Sequence, residues 1–275
     1  MLYDLHSHST ASDGTLKPSE LVQKASLQGV DVLALTDHDT TAGILEAREA
    51  ADACNLRLIE GVEISVTWEK LTIHILGLGL QCDSEVLQQG LAGLREFRQW
   101  RAEEIGRKLE KSGIAGALDG AKQYAKGDLI SRTHFARYLV DCGKAKSVSD
   151  VFKKYLVKNK PGHVSGQWAA LNDAISWIRD AGGHAVIAHP ARYKMSATKL
   201  RRFIEAFKEA GGVGLEVVSG SHSVNERYNM AQYAKKYQLY ASCGSDYHGP
   251  ENTWIELGRL ADLPKHCEPV WQLFD

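Results

Sequence analysis

The sequence predicts an α/β fold in which seven short strands alternate with helices. Apolar runs lie at 2–6, 30–36, 56–63, 71–78, 184–189, 214–219 and 239–244, with helical spacing between most of them. Their near-continuous apolar character is typical of strands buried on both faces, and the helical segments supply the crossovers that parallel strands require. We therefore expect a barrel-like sheet of parallel strands, although 275 residues also fit two smaller domains.

The first predicted helix shows how the segments are delimited. Pro18 suits a first helical turn, and Leu21, Val22 and Ala25 keep helical spacing. Gly29 then ends the helix just before the second strand, and the same arrangement recurs at 210–212. These signals predict short helices that return the chain to the sheet.

The alternation breaks between 84 and 163, where a long charged helical pattern (84–112) leads into further helical pieces. We expect a barrel of residues 1–83 and 164–275, with 84–163 as a helical insertion (cap) domain over one mouth. Residues 95–160 carry 16 Lys and Arg against 8 Asp and Glu, in a chain with a net charge of -1. Individual lysines there (Lys153, Lys154, Lys158 and Lys160) are typical of a solvated helix face, but the basic island as a whole predicts an anionic ligand.

Composition narrows the class of protein. The chain is 44% hydrophobic and 24% charged, which indicates a folded domain rather than a disordered one. The first residues show no basic, apolar secretory leader, and no apolar run approaches the roughly 20 residues of a membrane span. The five cysteines include no CxxC pair, which argues against a disulfide framework or a thiolate zinc site. We expect a cytoplasmic protein without a membrane partner or an obligate protein partner.

Metal-ligand side chains follow the predicted strands. His6 and His8 come after the first strand, and side chains two residues apart share one face of an extended segment, so the pair can chelate a metal. Further candidates lie at or beside later strands: Asp13, His38, Glu63 at the end of the third strand, His74 within the fourth, His189, Asp246 and His248. Because the carboxyl ends of the strands form the active face of barrel-like α/β folds, we expect these side chains to meet.

Nine nitrogen and oxygen ligands exceed the needs of one ion. Two or three divalent metals bridged by a carboxylate would use them all, and the ligand types suit manganese, iron or zinc. Metals a few ångströms apart activate water and stabilise a leaving oxygen, as in phosphate ester hydrolysis. The sequence lacks a GxSxG motif, a P-loop and a GxGxxG after a strand. The ligand set thus predicts a metal-dependent phosphoesterase.

These motifs, in this order, resemble the PHP (polymerase and histidinol phosphatase) superfamily. The resemblance rests on HSHS at the start, LTDHDT, EGVEIS, the histidine of the fourth strand, AHP and GSDYH, and it covers most of the chain. It implies a distorted seven-stranded (β/α) barrel and three metals, with Mn²⁺ expected and Fe²⁺ or Zn²⁺ as alternatives. The implied ligand sets are His6, His8, Glu63 and Asp246; Glu63, His74 and His189; and Asp13, His38 and His248.

Chain length, the SDGTLKPSELV loop and the insertion look most like the bacterial group of 3′,5′-nucleoside bisphosphate phosphatases and exoribonucleases of the RNase AM type. That resemblance implies hydrolysis of the 3′-phosphate of nucleoside bisphosphates, such as pAp, to nucleoside 5′-monophosphates, and trimming of short RNA from the 5′ end. In the cap, we expect Arg132 to bind the substrate, because a guanidinium fork suits a phosphate, with His134 and Arg137 as further candidates.

Two alternative functions remain open from the sequence. A histidinol phosphatase, or another small-molecule phosphatase, would use the same chemistry, but histidinol phosphate carries a cationic amine that the basic cap disfavours. The other alternative, from a different class, is a nucleic-acid-binding module stabilised by structural metals. Structural sites are usually closed by four ligands, so nine candidate ligands disfavour it.

Overall fold

The computed structural model describes residues 1–274 as a barrel-like sheet surrounded by helices. The strands are β1 (Tyr3–Asp4), β2 (Val32–Leu35), β3 (Arg57–Trp68), β4 (Leu71–Leu78), β5 (Ala169–Ala170), β6 (His184–Ile187), β7 (Gly214–Ser219) and β8 (Tyr240–Gly244). The helices are α1 (Pro18–Leu27), α2 (Ile44–Cys54), α3 (Glu85–Lys111), α4 (Ala117–Tyr124), α5 (Arg132–Asp141), α6 (Val148–Val151), α7 (Leu171–Asp180), α8 (Ala197–Glu209) and α9 (Val224–Tyr237). A π-helical turn (Phe152–Leu156) continues α6, and 3₁₀ turns lie at Pro190–Tyr193 and Val270–Leu273.

The sheet confirms the predicted seven-stranded barrel and corrects its strand directions. Its order is β1-β2-β3-β4-β6-β7-β8, with the two-residue β5 paired to β3. Strand β4 is antiparallel to both β3 and β6, so the expectation of an all-parallel barrel is wrong at this strand. The reason is the two-residue turn at Glu69 and Lys70, whose φ angles of 44° and 66° are those of a tight hairpin. Such a turn joins only antiparallel strands.

The third strand runs past the position where we expected it to end. Ile64 pairs with Ile75 and the ladder continues to Trp68, so Glu63 lies within β3 rather than at its end. The loop after β2 joins the same strand, because Asp39 N donates to Glu63 O at 3.0 Å. This pairing carries His38 to the side of Glu63.

The two ends of the sheet meet and nearly close the barrel. Leu5 N donates to Cys243 O at 2.9 Å, and Asp246 N donates to His6 O at 2.9 Å. Beyond these contacts, His8 N donates to the carbonyl oxygen of Tyr247. The residues that follow β1 therefore lie beside the residues that follow β8.

Helix α3 connects the barrel to the cap. Leu87, Leu91 and Leu94 pack with the barrel core, whereas Ala102, Ile105 and Leu109 of the same helix belong to a second core with Phe135 and Leu139. The division at 84–163 stays a prediction, since one helix contributes to both cores. Within residues 1–274, no helix combines the length and apolar character needed to cross a membrane.

Candidate active site

The first pair of predicted ligands lies on one face of the segment that follows β1. Between them, Ser7 Oγ points away and donates to the carbonyl oxygen of Ala34 at 2.7 Å. His6 and His8 are fully buried, and their Nε2 atoms lie 3.0 Å apart. Two imidazoles that aim their ring nitrogens at one point are arranged to chelate a single ion.

Glu63 is the centre of the cluster. Its Oε1 lies 2.9 Å from His74 Nδ1 and 3.0 Å from His189 Nε2. Its Oε2 lies 2.8 Å from His38 Nδ1 and 3.3 Å from His8 Nε2. A buried carboxylate with histidines on both oxygens has the arrangement of a bridging ligand.

The remaining carboxylates lie on either side. Asp246 Oδ1 is 3.4 Å from both His6 Nε2 and His8 Nε2. Asp13 Oδ1 is 3.3 Å from His248 Nε2 and 3.8 Å from His38 Nε2. The structure thus brings all nine predicted ligands into one cluster.

Within this cluster, four sets of ligand atoms lie close enough to share an ion. They are His8, Asp13, His38 and His248; His6, Glu63 and His189; His6, His8 and Asp246; and His38, Glu63 and His74. The sets overlap with the three implied by the family resemblance but are not identical to them. The assignment of each residue to a particular ion stays a prediction.

The charges of the cluster are strongly coupled. Burial raises the pKa of Glu63, but the neighbouring histidines, His74 first, outweigh it and hold that pKa well below its usual range. Burial lowers the pKa of His8, yet Asp246 and Glu63 together raise it to about 9. His38 is dominated by burial, which lowers its pKa to about 4. The site therefore presents anionic carboxylates and, at His38, a neutral imidazole.

Several buried polar atoms of the candidate ligand residues make no hydrogen bond within the protein. Among residues 1–274, the buried atoms that make no hydrogen bond include Asp13 Oδ1, Glu63 Oε2 and the Nδ1 atoms of His8, His38 and His189. His38 Nδ1 lies 2.8 Å from Glu63 Oε2, yet neither atom makes a hydrogen bond. Unsatisfied buried acceptors are unfavourable unless a ligand completes them. Divalent cations with mixed nitrogen and oxygen ligation fit this set of donors.

A layer of buried carboxylates holds the ligands in place. Glu216 Oε1 lies 2.8 Å from His6 Nδ1, and Glu216 Oε2 accepts from His189 N at 2.5 Å. Asp37 accepts from Ser9 N at 2.8 Å, which anchors the loop after His8. Carboxylates that orient metal-ligating histidines in this way fix the ring and raise its basicity.

Three arginines extend the site toward the cap. Arg98, Arg101 and Arg132 line a cavity of about 170 Å³, together with Arg192 and candidate ligands such as Glu63 and Asp246. Arg98 Nε donates to Asp39 Oδ2 at 2.6 Å, and Arg101 donates to the carbonyl oxygen of Val164. Both guanidinium groups lie over Trp168, at 5.1 and 5.3 Å from the ring centroid. The guanidinium of Arg132 lies 5.4 Å from the Phe152 ring centroid.

The three predicted substrate residues lie in three different environments. Arg132 lines the cavity. His134 does not, because it is 1% exposed and its Nδ1 accepts from Ser131 N at 3.1 Å, which caps α5. Arg137 donates to the carbonyl oxygen of Asp13 at 3.1 Å and lines a neighbouring cavity.

Sequence reasoning missed Arg98, Arg101, Arg192 and Glu216. A signal for the first two was present, since Arg98 and Arg101 continue at helical spacing the buried stripe of α3 that begins at Leu87. Arg192 forms an ion pair with Asp246 and follows the AHP motif in the chain. Glu216 lies in β7, a strand that is buried throughout.

Comparisons with known proteins agree with this geometry. The family model described as the PHP domain matches residues 4–239. A 3′,5′-nucleoside bisphosphate phosphatase of Chromobacterium violaceum is 48% identical over 98% of this chain and 95% of its own length. The 5′-3′ exoribonuclease Rnm of Escherichia coli is 49% identical over 100% of this chain and 94% of its own.

Solved structures show the same relationship. A Chromobacterium violaceum structure named as an amidohydrolase with bound sulfate superposes with a TM-score of 0.95 at 48% identity, covering 99% of this chain and 95% of the other. A second structure, named as a metal-dependent phosphoesterase of Bifidobacterium adolescentis, gives 0.81 at 27% identity, covering 98% of this chain and 92% of the other. The chain belongs to the PHP domain family.

Proposed function

We propose that this protein is a metal-dependent phosphoesterase that removes the 3′-phosphate of nucleoside 3′,5′-bisphosphates and trims RNA from its 5′ end. The named activities of the relatives at 48% and 49% identity support both substrates. The nine clustered ligands support three divalent metals, with Mn²⁺ as the expected ion. All nine carry metal in this proposal: His6, His8, Asp13, His38, Glu63, His74, His189, Asp246 and His248.

The observation that carries the proposal is the arginine group in the cavity of the metal ligands. Among residues 1–274, neither Arg101 nor Arg132 has a carboxylate within ion-pair distance. Burial lowers the pKa of both side chains, and the proximity of Arg98 lowers it further. Buried cations without a counter-ion are unfavourable, and an anionic ligand relieves that cost. A substrate with a second phosphate provides such an anion.

The arginines and the ligand cluster divide the work of the reaction. Divalent ions, when bound, activate water and neutralise charge on the phosphoryl oxygens. In our proposal, Arg98, Arg101 and Arg132 bind the 5′-phosphate through charge-assisted hydrogen bonds. This contact fixes the nucleoside so that its 3′-phosphorus lies at the cluster of Glu63 and Asp246. Fixing the reacting groups in this way lowers the entropic part of the barrier.

The same chemistry covers the bisphosphate and RNA. The oxygen of water bonds to phosphorus, the bond between phosphorus and O3′ breaks, and O3′ takes a proton as the nucleoside 5′-monophosphate leaves. With a bisphosphate the other product is inorganic phosphate. With RNA it is the shortened chain, which again begins with a 5′-phosphate.

The two alternatives from the sequence have less support. Histidinol phosphate carries a positive charge, which the four arginines that line the cavity would repel. A purely structural metal site is closed by four ligands, whereas this cluster has nine candidate ligands, seven of which line an open cavity.

Kinetics on adenosine 3′,5′-bisphosphate, a short 5′-phosphorylated RNA and histidinol phosphate, with Mn²⁺ present, test the proposal. We expect turnover of the first two, and its loss after thorough chelation. Full activity in the chelated protein would contradict the metal requirement, and a clear preference for histidinol phosphate would contradict the substrate.

Arg132→Ala tests the role of the arginine group. Loss of a charge-assisted hydrogen bond to the 5′-phosphate, about 2 to 3 kcal/mol, is expected to raise KM for the bisphosphate roughly 30- to 150-fold. Metal content, measured by elemental analysis, should not change. Arg107→Ala is the control, because Arg107 is 49% exposed and pairs with Glu104 on the outside of the cap. An unaltered KM in Arg132→Ala would remove this residue from the substrate site.

A further inference from the structure

A second cavity opens beside the arginine-lined one. It has a volume of about 640 Å³, and we call it the open groove. It shares five lining residues with the arginine-lined cavity: Thr133, Phe152, Arg192, Asp246 and His248. Two of these, Asp246 and His248, are candidate metal ligands. The open groove is therefore a second path that leads away from the reacting centre.

The walls of the open groove come from the cap and the barrel. One wall contains Ser147, Ser149 and Phe152 around α6, and the other is the loop 249–255. The loop carries Trp254, whose side chain is 90% exposed. An indole in water stabilises nothing in the folded chain, but its flat apolar face is suited to stack on another ring.

The proposed chemistry requires space on this side of the phosphorus. Cleavage between phosphorus and O3′ leaves the phosphorus on the shortened RNA, so the rest of the chain extends from the phosphorus away from the first nucleoside. A bisphosphate has nothing at that position. An RNA substrate therefore needs a path that begins at the metal ligands and does not pass the arginine-lined cavity.

We propose that the open groove holds the RNA immediately 3′ to the scissile phosphate, with a base stacked on Trp254; this inference rests on the proposed function. At its inner end, Arg137 provides positive charge near the first phosphates of the shortened chain, beside the ion pair of Arg192 with Asp246. Farther out, the lining combines neutral polar side chains such as Ser149 and Asn252 with apolar ones such as Ile255 and one carboxylate, Glu251. A groove of this kind holds single-stranded RNA through stacking and backbone contacts without reading its sequence.

Trp254→Ala separates the two substrates. Stacking of one base on an aromatic ring corresponds to roughly a tenfold to hundredfold change in affinity. We expect kcat/KM for a 5′-phosphorylated pentaribonucleotide to fall by about that factor. For adenosine 3′,5′-bisphosphate, which ends before the open groove, we expect less than a twofold change. Trp254→Phe keeps an aromatic face and should recover most of the activity on RNA.

Tyr228→Ala is the matched control. Tyr228 is also an exposed aromatic residue, at 63%, and it lines neither cavity. This variant should hydrolyse both substrates like the unaltered protein. Thermal unfolding of each variant checks that the substitutions leave the fold intact.

The outcomes distinguish the inference from the proposed function. An unchanged kcat/KM on RNA in Trp254→Ala, or an equal loss on both substrates, would overturn the inference while the phosphatase activity stands. Hydrolysis of the bisphosphate but not of RNA by the unaltered protein would also overturn it. Absence of bisphosphate hydrolysis in the unaltered, Mn²⁺-loaded protein would instead contradict the proposed function itself.

Discussion

Replacing Arg101 with methionine tests whether the arginine-lined cavity is built for an anion. The side chain is 9% exposed and lies near two other guanidinium groups. Methionine keeps much of the length and packing of the side chain while removing the charge. We expect this variant to be more stable than the unaltered protein but to respond less to phosphate.

The magnitude follows from the electrostatics of the site. Burial, together with the charges of Arg132 and Arg98, lowers the pKa of Arg101 to about 9 from 12.5. At about 1.4 kcal/mol per pKa unit, the charged form is disfavoured by about 5 kcal/mol as an upper limit. The variant loses the hydrogen bonds to the carbonyl oxygen of Val164 and the cation–π contact with Trp168, which together offset about 3 kcal/mol. A net gain of about 2 kcal/mol remains, or a rise in Tm of roughly 4 °C.

Thermal and urea unfolding with and without inorganic phosphate measure both effects. Phosphate bound only by the folded state should raise the stability of the unaltered protein by about 2.7 kcal/mol at 100 times its Kd. Without phosphate, the Arg101→Met variant should have a higher free energy of unfolding than the unaltered protein. Phosphate should increase that free energy clearly less in the variant. Arg107→Met, on the exposed face of the same helix, should change neither the stability nor the response to phosphate. A destabilised Arg101→Met variant with a full response to phosphate would refute the reasoning.

Three further predictions use other parts of the structure. Burial lowers the pKa of His134 to about 4 from 6.5, so between these pH values the folded state binds fewer protons than the unfolded chain. Urea unfolding of the unaltered protein should therefore show a loss of up to about 3 kcal/mol as pH falls from 6.5 through 4. His134→Gln should remove this loss. An equally steep profile in the variant would assign that loss to other groups. In α3, Gly93→Ala should raise Tm, because helix propensity favours alanine by about 0.5 to 1 kcal/mol. Gly90→Ala should lower Tm, because the new Cβ would lie 2.4 Å from the indole ring of Trp177. Equal shifts of Tm in the two variants would contradict this packing. Glu216→Gln should weaken Mn²⁺ binding in a metal titration by about 10- to 100-fold, and unaltered affinity would argue against its role in holding His6.

The strand positions and the ligand cluster were predictable because both follow from local patterns. All seven expected strands occur, and β4 and β7 have the expected bounds. His6 and His8 share a face because an extended segment alternates its side chains. The meeting of His8 with His248 required only that strand ends lie at one edge.

The direction of β4 was not predictable from its sequence. Two-residue hairpins are usually announced by Asn-Gly or Asp-Gly, whereas this turn consists of Glu69 and Lys70. Both residues adopt left-handed φ angles because the pairing of β3 with β4 on either side compensates for the strain. Long-range pairing overrode local preference here.

The arginine-lined cavity was hidden for another reason. The sequence alone does not distinguish a buried arginine from a solvated one, so Arg98 and Arg101 fit the pattern of a charged helix surface. Their burial depends on the approach of Trp168, some 70 residues later in the chain. The exposed lysines at 153 and 154 show the opposite case, since they fit the solvated face that a run of basic residues usually forms.

The closure of β1 against β8 also sets the order of events during synthesis. His6 and His8 leave the ribosome first, while Asp246 and His248 emerge only after nearly the whole chain has been made. A nascent chain that ends before residue 246 contains His6 and His8 but lacks Asp246, whose Oδ1 lies 3.4 Å from both imidazoles in the folded chain. Since domains fold as units during translation, metal loading belongs to the end of synthesis or follows it. In the proposed function, the complete metal site therefore requires a chain that extends through residue 248.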